Sequence, residues 1–241
     1  MATEGSILGR DVFDELNMTY EHAYGDNSFK ISIVSNAIPL LPKSSDPNPP
    51  KVLDVGCGTG VPVSEMLANA GLDVHGFDIA PEMVKLVQSR VKGTFTLSDM
   101  IEYQASEGSF AGVFIVFSHL MLKYADFHAA CFKFAKALQP GGLLVIGQQP
   151  ADKYVKDKAD YDESGAWVED YPAPFMGKLE PTLMLTVEGQ RRFLTSMGLE
   201  IVRETVDTFQ PKNPKCEPEE QQYIIAKRPD AAPLKAPLPL P

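Results

Sequence analysis

Residues Lys51 to Gly60, K-V-L-D-V-G-C-G-T-G, limit the possible folds of this chain more than any other stretch. Val52, Leu53 and Val55 form a short apolar run of the kind found in a strand buried within a parallel sheet. The run breaks into glycines at alternate positions, Gly56, Gly58 and Gly60, and a helical pattern follows at once. Strand, glycine turn and helix bring backbone N–H groups close to a ligand. Glycine suits the turn because a Cβ would block that approach and because the backbone needs unusual dihedrals. A dinucleotide site has the spacing G-x-G-x-x-G. Here the third glycine comes one residue early, and an acid, Asp54, precedes the first glycine by two. A carboxylate there repels a pyrophosphate but can hydrogen-bond an ammonium group, directly or through water.

The flanking sequence continues the alternation. Val12, Phe13, Leu16, Tyr20, Ala23 and Tyr24 have helical spacing that ends at Gly25-Asp26-Asn27. A second helix, capped by Asn27 or Ser28, carries the stripe Phe29, Ile33, Val34, Ala37, Ile38 and Leu41. Residues 1–10 have no periodicity and read as flexible. Pro42 to Pro50 is a proline-rich connector, so residues 1–42 read as an N-terminal helical lid on a main domain spanning 51–228. In that domain, strands are expected at Leu72–Asp78, Gly93–Leu97, Gly112–Phe117 and Leu143–Gly147. Helices are expected at Val61–Gly71, from Pro81 through Val91, and from Phe127 to Leu138. The order predicts an α/β fold with an open doubly wound sheet. Residues 150–185, acidic and rich in Tyr and Pro, break the rhythm as an insert after the fifth strand. A helix at Val187–Met197 and strands at Leu199–Thr208 and Gln222–Ala226 complete the sheet as a terminal antiparallel hairpin. Residues 229–241 read as a disordered, proline-rich tail.

D-V-G-C-G-T-G in this setting resembles motif I of the class I S-adenosylmethionine (SAM) methyltransferases. Asp78 ends the second strand, where an acid can accept from both ribose hydroxyls. Ser98-Asp99-Met100 resembles the adenine-binding segment of that family, and Leu138-Gln139-Pro140-Gly141-Gly142 resembles its L-K-P-G-G turn. The resemblance covers Lys51 to Gly147, with weaker agreement through Ala226, and looks most like the UbiE-like and fungal secondary-metabolite branch. It implies a Rossmann-like sheet of seven strands in the order 3-2-1-4-5-7-6, with the last strand antiparallel. It also implies a cofactor site formed by Tyr20, Asp54, Gly56, Cys57, Gly58, Gly60, Asp78, Ile79, Met83, Asp99, Met100, Phe117 and Ser118. In that site SAM is converted to S-adenosylhomocysteine (SAH). His119, at the end of the fourth strand, is the candidate base or positioner. Tyr24, His119, Trp167 and Phe175 are the candidate acceptor-binding residues.

The activity so implied is in-line methyl transfer to an O or N atom of a small molecule, a secondary metabolite in that branch. Lys+Arg 22 against Asp+Glu 32, a formal charge of −10, argues against a nucleic-acid acceptor, which calls for a basic face. So does F-S-H-L after the fourth strand, where nucleic-acid-modifying relatives carry D/N-P-P-F/Y. No apolar run is long enough for a membrane span, and Met1 to Asp11 lacks a basic, then apolar, leader. Cys57, Cys131 and Cys216 are far apart and lack metal-ligand spacing, which fits a reducing cytoplasm. Two other readings keep the fold: a SAM-binding cyclase without methyl transfer, and a non-catalytic methyltransferase-like subunit. Neither the acceptor nor the oligomeric state is legible in the motif.

Overall fold

The computed structural model describes residues 3–43, 47–231 and 233–236. Strand β1 (Lys51–Val55) runs in parallel between β2 (Asp73–Asp78) and β4 (Phe110–Val116), and β2 in turn pairs with β3 (Thr94–Leu97). On the other side β5 (Leu138–Gln148) pairs in parallel with β4 and antiparallel with β9 (Glu219–Lys227), whose other neighbour is β8 (Glu200–Phe209). The sheet order is therefore β3-β2-β1-β4-β5-β9-β8. The two intervening strands, β6 (Trp167–Phe175) and β7 (Lys178–Leu185), form a separate antiparallel hairpin. This hairpin is the regular structure of the insert. Its prolines and acids lie on a two-stranded edge, where alternation is weak and a missing N–H is tolerated.

Period-two alternation divides the core. Leu53, Val55, Val113 and Ile115 face α6 (Tyr124–Ala137) and α8 (Val187–Ser196). Val52, Phe114, Val116 and Val145 face the opposite layer, which includes α3 (Ser28–Ala37), α4 (Val63–Asn69) and α5 (Pro81–Arg90). Every residue of β4 is buried, as a continuous apolar run at the sheet centre requires.

The N-terminal region departs from the sequence reading in three ways. Helix α1 spans Glu4–Leu16, so most of residues 1–10 is helical; Thr3 caps it by accepting from the Ser6 N–H at 3.2 Å. Asn17, at φ 45°, separates α1 from α2 (Met18–Tyr24), so the single expected helix is two. Helix α3 belongs mainly to the sheet-covering core through Ile33, Val34 and Ala37, and reaches the cavity at the carboxyl edge with Lys30, beside α1 and α2. A short helix, α7 (Ala151–Tyr154), leads into the insert. At the other end, Leu234 packs against the core and the Lys235 N–H donates to Met197 O at 2.9 Å. That part of the expected disordered tail is docked by its leucine, and residues 232 and 237–241 lie outside the described residues. Among the described residues, no helix is long and apolar enough to cross a membrane.

Candidate functional site

The carboxyl ends of β1, β2, β3 and β4 open into one cavity, with an empty space of about 1180 Å³ when the open solvent at its mouth is included. Open α/β sheets bind ligands at this edge. The glycine turn forms one wall. At Gly56 a Cβ would lie 2.3 Å from Ser118 Cβ, so the loop leaving β4 can approach only a glycine. Gly58, at φ +54°, has nothing within 4 Å of where its Cβ would be: its missing side chain is open space on the cavity wall. Asp78 sits at the end of β2 and ties the turn together. Its Oδ2 accepts from the Gly58 N–H at 2.8 Å and its Oδ1 from the Ala80 N–H at 2.9 Å. A carboxylate has about four lone-pair directions, so acceptor capacity remains. Burial pushes its pKa up against these hydrogen bonds.

Asp99 stands after β3 and is 7% exposed. Its Oδ1 accepts from the Ile101 N–H at 2.8 Å, while Oδ2 has no hydrogen-bond partner among the described residues. A buried carboxylate oxygen without a donor is costly, so an orphan facing a cavity marks where a ligand donor belongs. Ser118 Oγ is a second such orphan on the same wall. Ile79, Met83, Met100 and Phe117 supply the apolar lining between them.

Three residues expected at the cofactor lie behind this wall. Asp54 is 2% exposed and its Oδ2 accepts from Ser64 Oγ at 2.6 Å, because α4 folds back over β1. Burial lifts its pKa to about 7. Cys57 packs into the sheet core, where burial pushes its thiol up. Gly60 turns toward α5, and a Cβ there would lie 2.6 Å from Val87 Cγ2.

The expected acceptor residues divide in the same way. Tyr24 and Phe175 line the cavity, as does Tyr20, and their rings stack: Tyr20 on Tyr24 at 5.0 Å, Tyr24 on Phe175 at 6.2 Å. Helix α2 and the β6–β7 hairpin thus close on each other above the cavity. Trp167 is not there. It lies flat on Tyr124 of α6 at 4.4 Å, eight residues from Phe175 along β6, which at a strand's rise is roughly 26 Å.

His119 is likewise misplaced by the sequence reading. It is 0% exposed, stacked on Phe127 at 4.3 Å, and neither ring nitrogen has a hydrogen-bond partner among the described residues. Burial lowers its pKa to about 3. The loop after β4 turns Ser118 and Leu120 into the cavity and His119 into the core, so His119 cannot serve as the base at this site.

The cavity continues to a polar end that the sequence reading missed. Lys30 of α3, 5% exposed, points its Nζ to within 5.7 Å of the ring centres of both Tyr20 and Phe117. Gln149, beyond β5, joins Glu219 and Gln221 of β9. Gln221 accepts from Asn27 Nδ2 at 2.7 Å and from the Tyr223 hydroxyl at 2.9 Å. Lys30 was legible in principle: it falls at i−3 and i−4 from Ile33 and Val34, a lysine on an apolar face. Glu219, Gln221 and Tyr223 alternate on one face of β9, a weaker sign because the strand starts within a turn-rich stretch.

Comparison with known proteins bears on the same segment. Residues 52–142 match the family model of a methyltransferase domain. Methyltransferase GfsG of Streptomyces halstedii is 30% identical over 128 residues, 50% of this chain and 44% of that protein. An O-methyltransferase of Pyrenophora dematioidea is 24% identical over 173 residues, 68% of this chain and 59% of that protein. The chain thus spans about half the length of these curated relatives. Magnesium protoporphyrin IX methyltransferase from Synechocystis PCC 6803, solved with bound SAM, superimposes with a TM-score of 0.63 at 16% identity, covering 94% of this chain and 98% of that one.

Proposed function

We propose that the chain, whose residues 52–142 match a methyltransferase domain, is a class I SAM-dependent methyltransferase that binds SAM in the strand-edge cavity and methylates an O or N atom of a small molecule. The orphan Asp99 Oδ2 carries the assignment: a buried acceptor beside Met100, two strands from the glycine turn, calls for a flat ligand bearing an amino group. Asp99 would take the adenine amino group, Met100 and Ile79 its faces, and the free lone pairs of Asp78 the ribose hydroxyls. Lys30 would meet the carboxylate of the amino-acid end. Asp54, behind the wall, would act on the ammonium only through the groups in front of it. When bound, SAM supplies a methyl group already activated by its sulfonium, so the protein's part is positioning and a dry pocket.

The aromatic closure formed by Phe13, Tyr20, Tyr24 and Phe175 favours a small acceptor over a macromolecule, and the formal charge of −10 disfavours a nucleic acid. A secondary-metabolite acceptor is the reading in keeping with the branch the motifs resemble. Incubation with methyl-labelled SAM and a metabolite panel, with SAH measured alongside, tests the proposal. One SAH per methylated product is expected. Product formed without SAH would establish a cyclase instead, and absence of SAM binding by calorimetry would point to a non-catalytic subunit.

A further inference from the structure

The polar end of the cavity holds a carboxylate that no cofactor role uses. Glu219 is 7% exposed and lines the cavity. Its Oε1 accepts a hydrogen bond from the Tyr24 hydroxyl, and its Oε2 accepts from Gln221 Nε2 at 3.3 Å. It stands at the edge where ligands bind, because β9 runs antiparallel to β5 with Gln148 opposite Gln222. Gln149, Gln221 and Glu219 therefore emerge together beyond the carboxyl end of β5. The wall is continuous with the glycine turn: Gly56 abuts Ser118, and the Phe117 ring stands edge-on to Tyr223 at 5.5 Å.

A buried carboxylate is stable only when its lone pairs are met. Tyr24, Gln221 and Gln149 meet part of the capacity of Glu219, which also lines the cavity. The walls beside it are aromatic: Tyr20, Tyr24 and Phe175. Lys30 is near enough to favour the ionised form of the carboxylate. An atom to be methylated must also offer a lone pair, which a protonated amine does not. A neutral aromatic hydroxyl meets each condition, with a flat ring for the walls and one O–H donor for the carboxylate.

We propose that Glu219 is the acceptor-binding base of this site, taking the hydrogen bond and then the proton of an aromatic hydroxyl whose ring lies against Tyr20, Tyr24 and Phe175. This rests on the methyltransferase reading. In the proton step the substrate O–H bond breaks, its electron pair stays on the oxygen, and the proton bonds to a carboxylate oxygen of Glu219. Tyr24 is a positioning residue: its hydroxyl holds the carboxylate in place and holds its pKa down, against burial, which raises it. The other titratable or charged groups facing Glu219 are Lys30 of α3, Tyr154 of α7, Cys216 before β9 and Tyr223 of β9.

The test uses the full chain saturated with SAH, with 2-naphthol as probe and 2-methoxynaphthalene, which lacks the donor, as control; binding is read by fluorescence titration. Wild type should bind 2-naphthol at least tenfold more tightly than the methyl ether. Glu219→Gln should remove that preference while SAH affinity stays within twofold. 2-Naphthol binding should fall as Glu219 protonates at low pH, and Tyr24→Phe, which keeps Glu219 but removes the hydroxyl that donates to it, should move that fall to higher pH. Equal affinity for the two naphthalenes would overturn the proposal, as would 2-phenylethylammonium binding more tightly than 2-naphthol. If Glu219→Gln weakens SAH as much as 2-naphthol, Glu219 is only a latch for α2, and the proposal fails. Loss of SAH binding by the wild type would instead sink the methyltransferase reading.

Discussion

Two buried groups with opposed shifts near neutral pH, His119 and Asp54, predict a pH dependence of stability that single substitutions can separate. His119 has its pKa lowered to about 3 by burial, against an ordinary value of 6.5. The folded state therefore resists protonation there, and the stability His119 contributes is complete above pH 6.5 and lost as pH falls toward about 3. At pH 5 the loss is 1.5 units at 1.36 kcal/mol each, about 2 kcal/mol. Asp54 behaves oppositely. Its pKa is raised from 3.8 to about 7, so its contribution is complete below pH 3.8 and disappears as pH rises through about 7. Acidification from pH 7 to 5 should recover about 2 kcal/mol at that group, so the two largely cancel between pH 4.5 and 6.5. His119→Leu removes the first term and leaves the packing against Phe127 largely filled. Asp54→Asn removes the second and keeps an acceptor for Ser64. Urea unfolding at half-unit steps from pH 4.5 to 7 reads both. Relative to wild type, His119→Leu should gain about 1.4 kcal/mol for each unit of acidification below pH 6.5, and Asp54→Asn should lose about as much below pH 7. Parallel profiles for wild type and His119→Leu would refute the placement of a neutral histidine in the core.

Three further substitutions probe the cavity. Asp78→Asn keeps the acceptor for the Ala80 N–H but sets an NH₂ against the Gly58 N–H, so SAH affinity should fall by about 1–3 kcal/mol by calorimetry; an unchanged Kd in a folded variant would mean that the end of β2 does not hold the ligand. Gly58→Ala meets no neighbouring atom and should cost only about 1–2 kcal/mol of stability for its positive φ, measured by thermal unfolding. Its SAH affinity should fall more steeply, since the new methyl group points into the cavity. Lys30→Met removes the cation near the cofactor's expected carboxylate and should weaken SAH by tenfold or more while sparing adenosine, and equal effects on both ligands would place Lys30 elsewhere.

The wall of the cavity that carries the glycine turn, Asp78 and Asp99 was largely legible because each part is local. Gly56, Asp78 and Asp99 each follow a strand within a few residues, and the ends of consecutive parallel strands must converge on one edge. The errors at that end are errors of side-chain direction. Asp54 and Cys57 belong to the right turn but face inward, and His119 differs from Ser118 by one residue, enough to reverse which side of the wall it joins. Sequence spacing fixes where a backbone turn lies far better than which way it directs one side chain.

The opposite end, proposed for the acceptor, was legible only at Tyr24 and Phe175, for a different reason. Tyr24 and Glu219, which share a hydrogen bond, are 195 positions apart, and Lys178 reaches Glu15 across 163. Glu219 meets Gln149 only because β9 inserts between β5 and β8, a step of topology and not of local pattern. Phe175 reaches the cavity because the insert folds as a hairpin, whose length also carries Trp167 away to α6. An aromatic residue in a loop could have lined the cavity from either position, but one on a nine-residue strand could not. On the proposed reading, acceptor choice would depend on the register of two antiparallel pairs, β6 with β7 and β5 with β9. A one-residue slip in either pair would exchange the face presented to the cavity. Within this scaffold, changes of acceptor are to be sought in those strands, with the glycine turn left as it is.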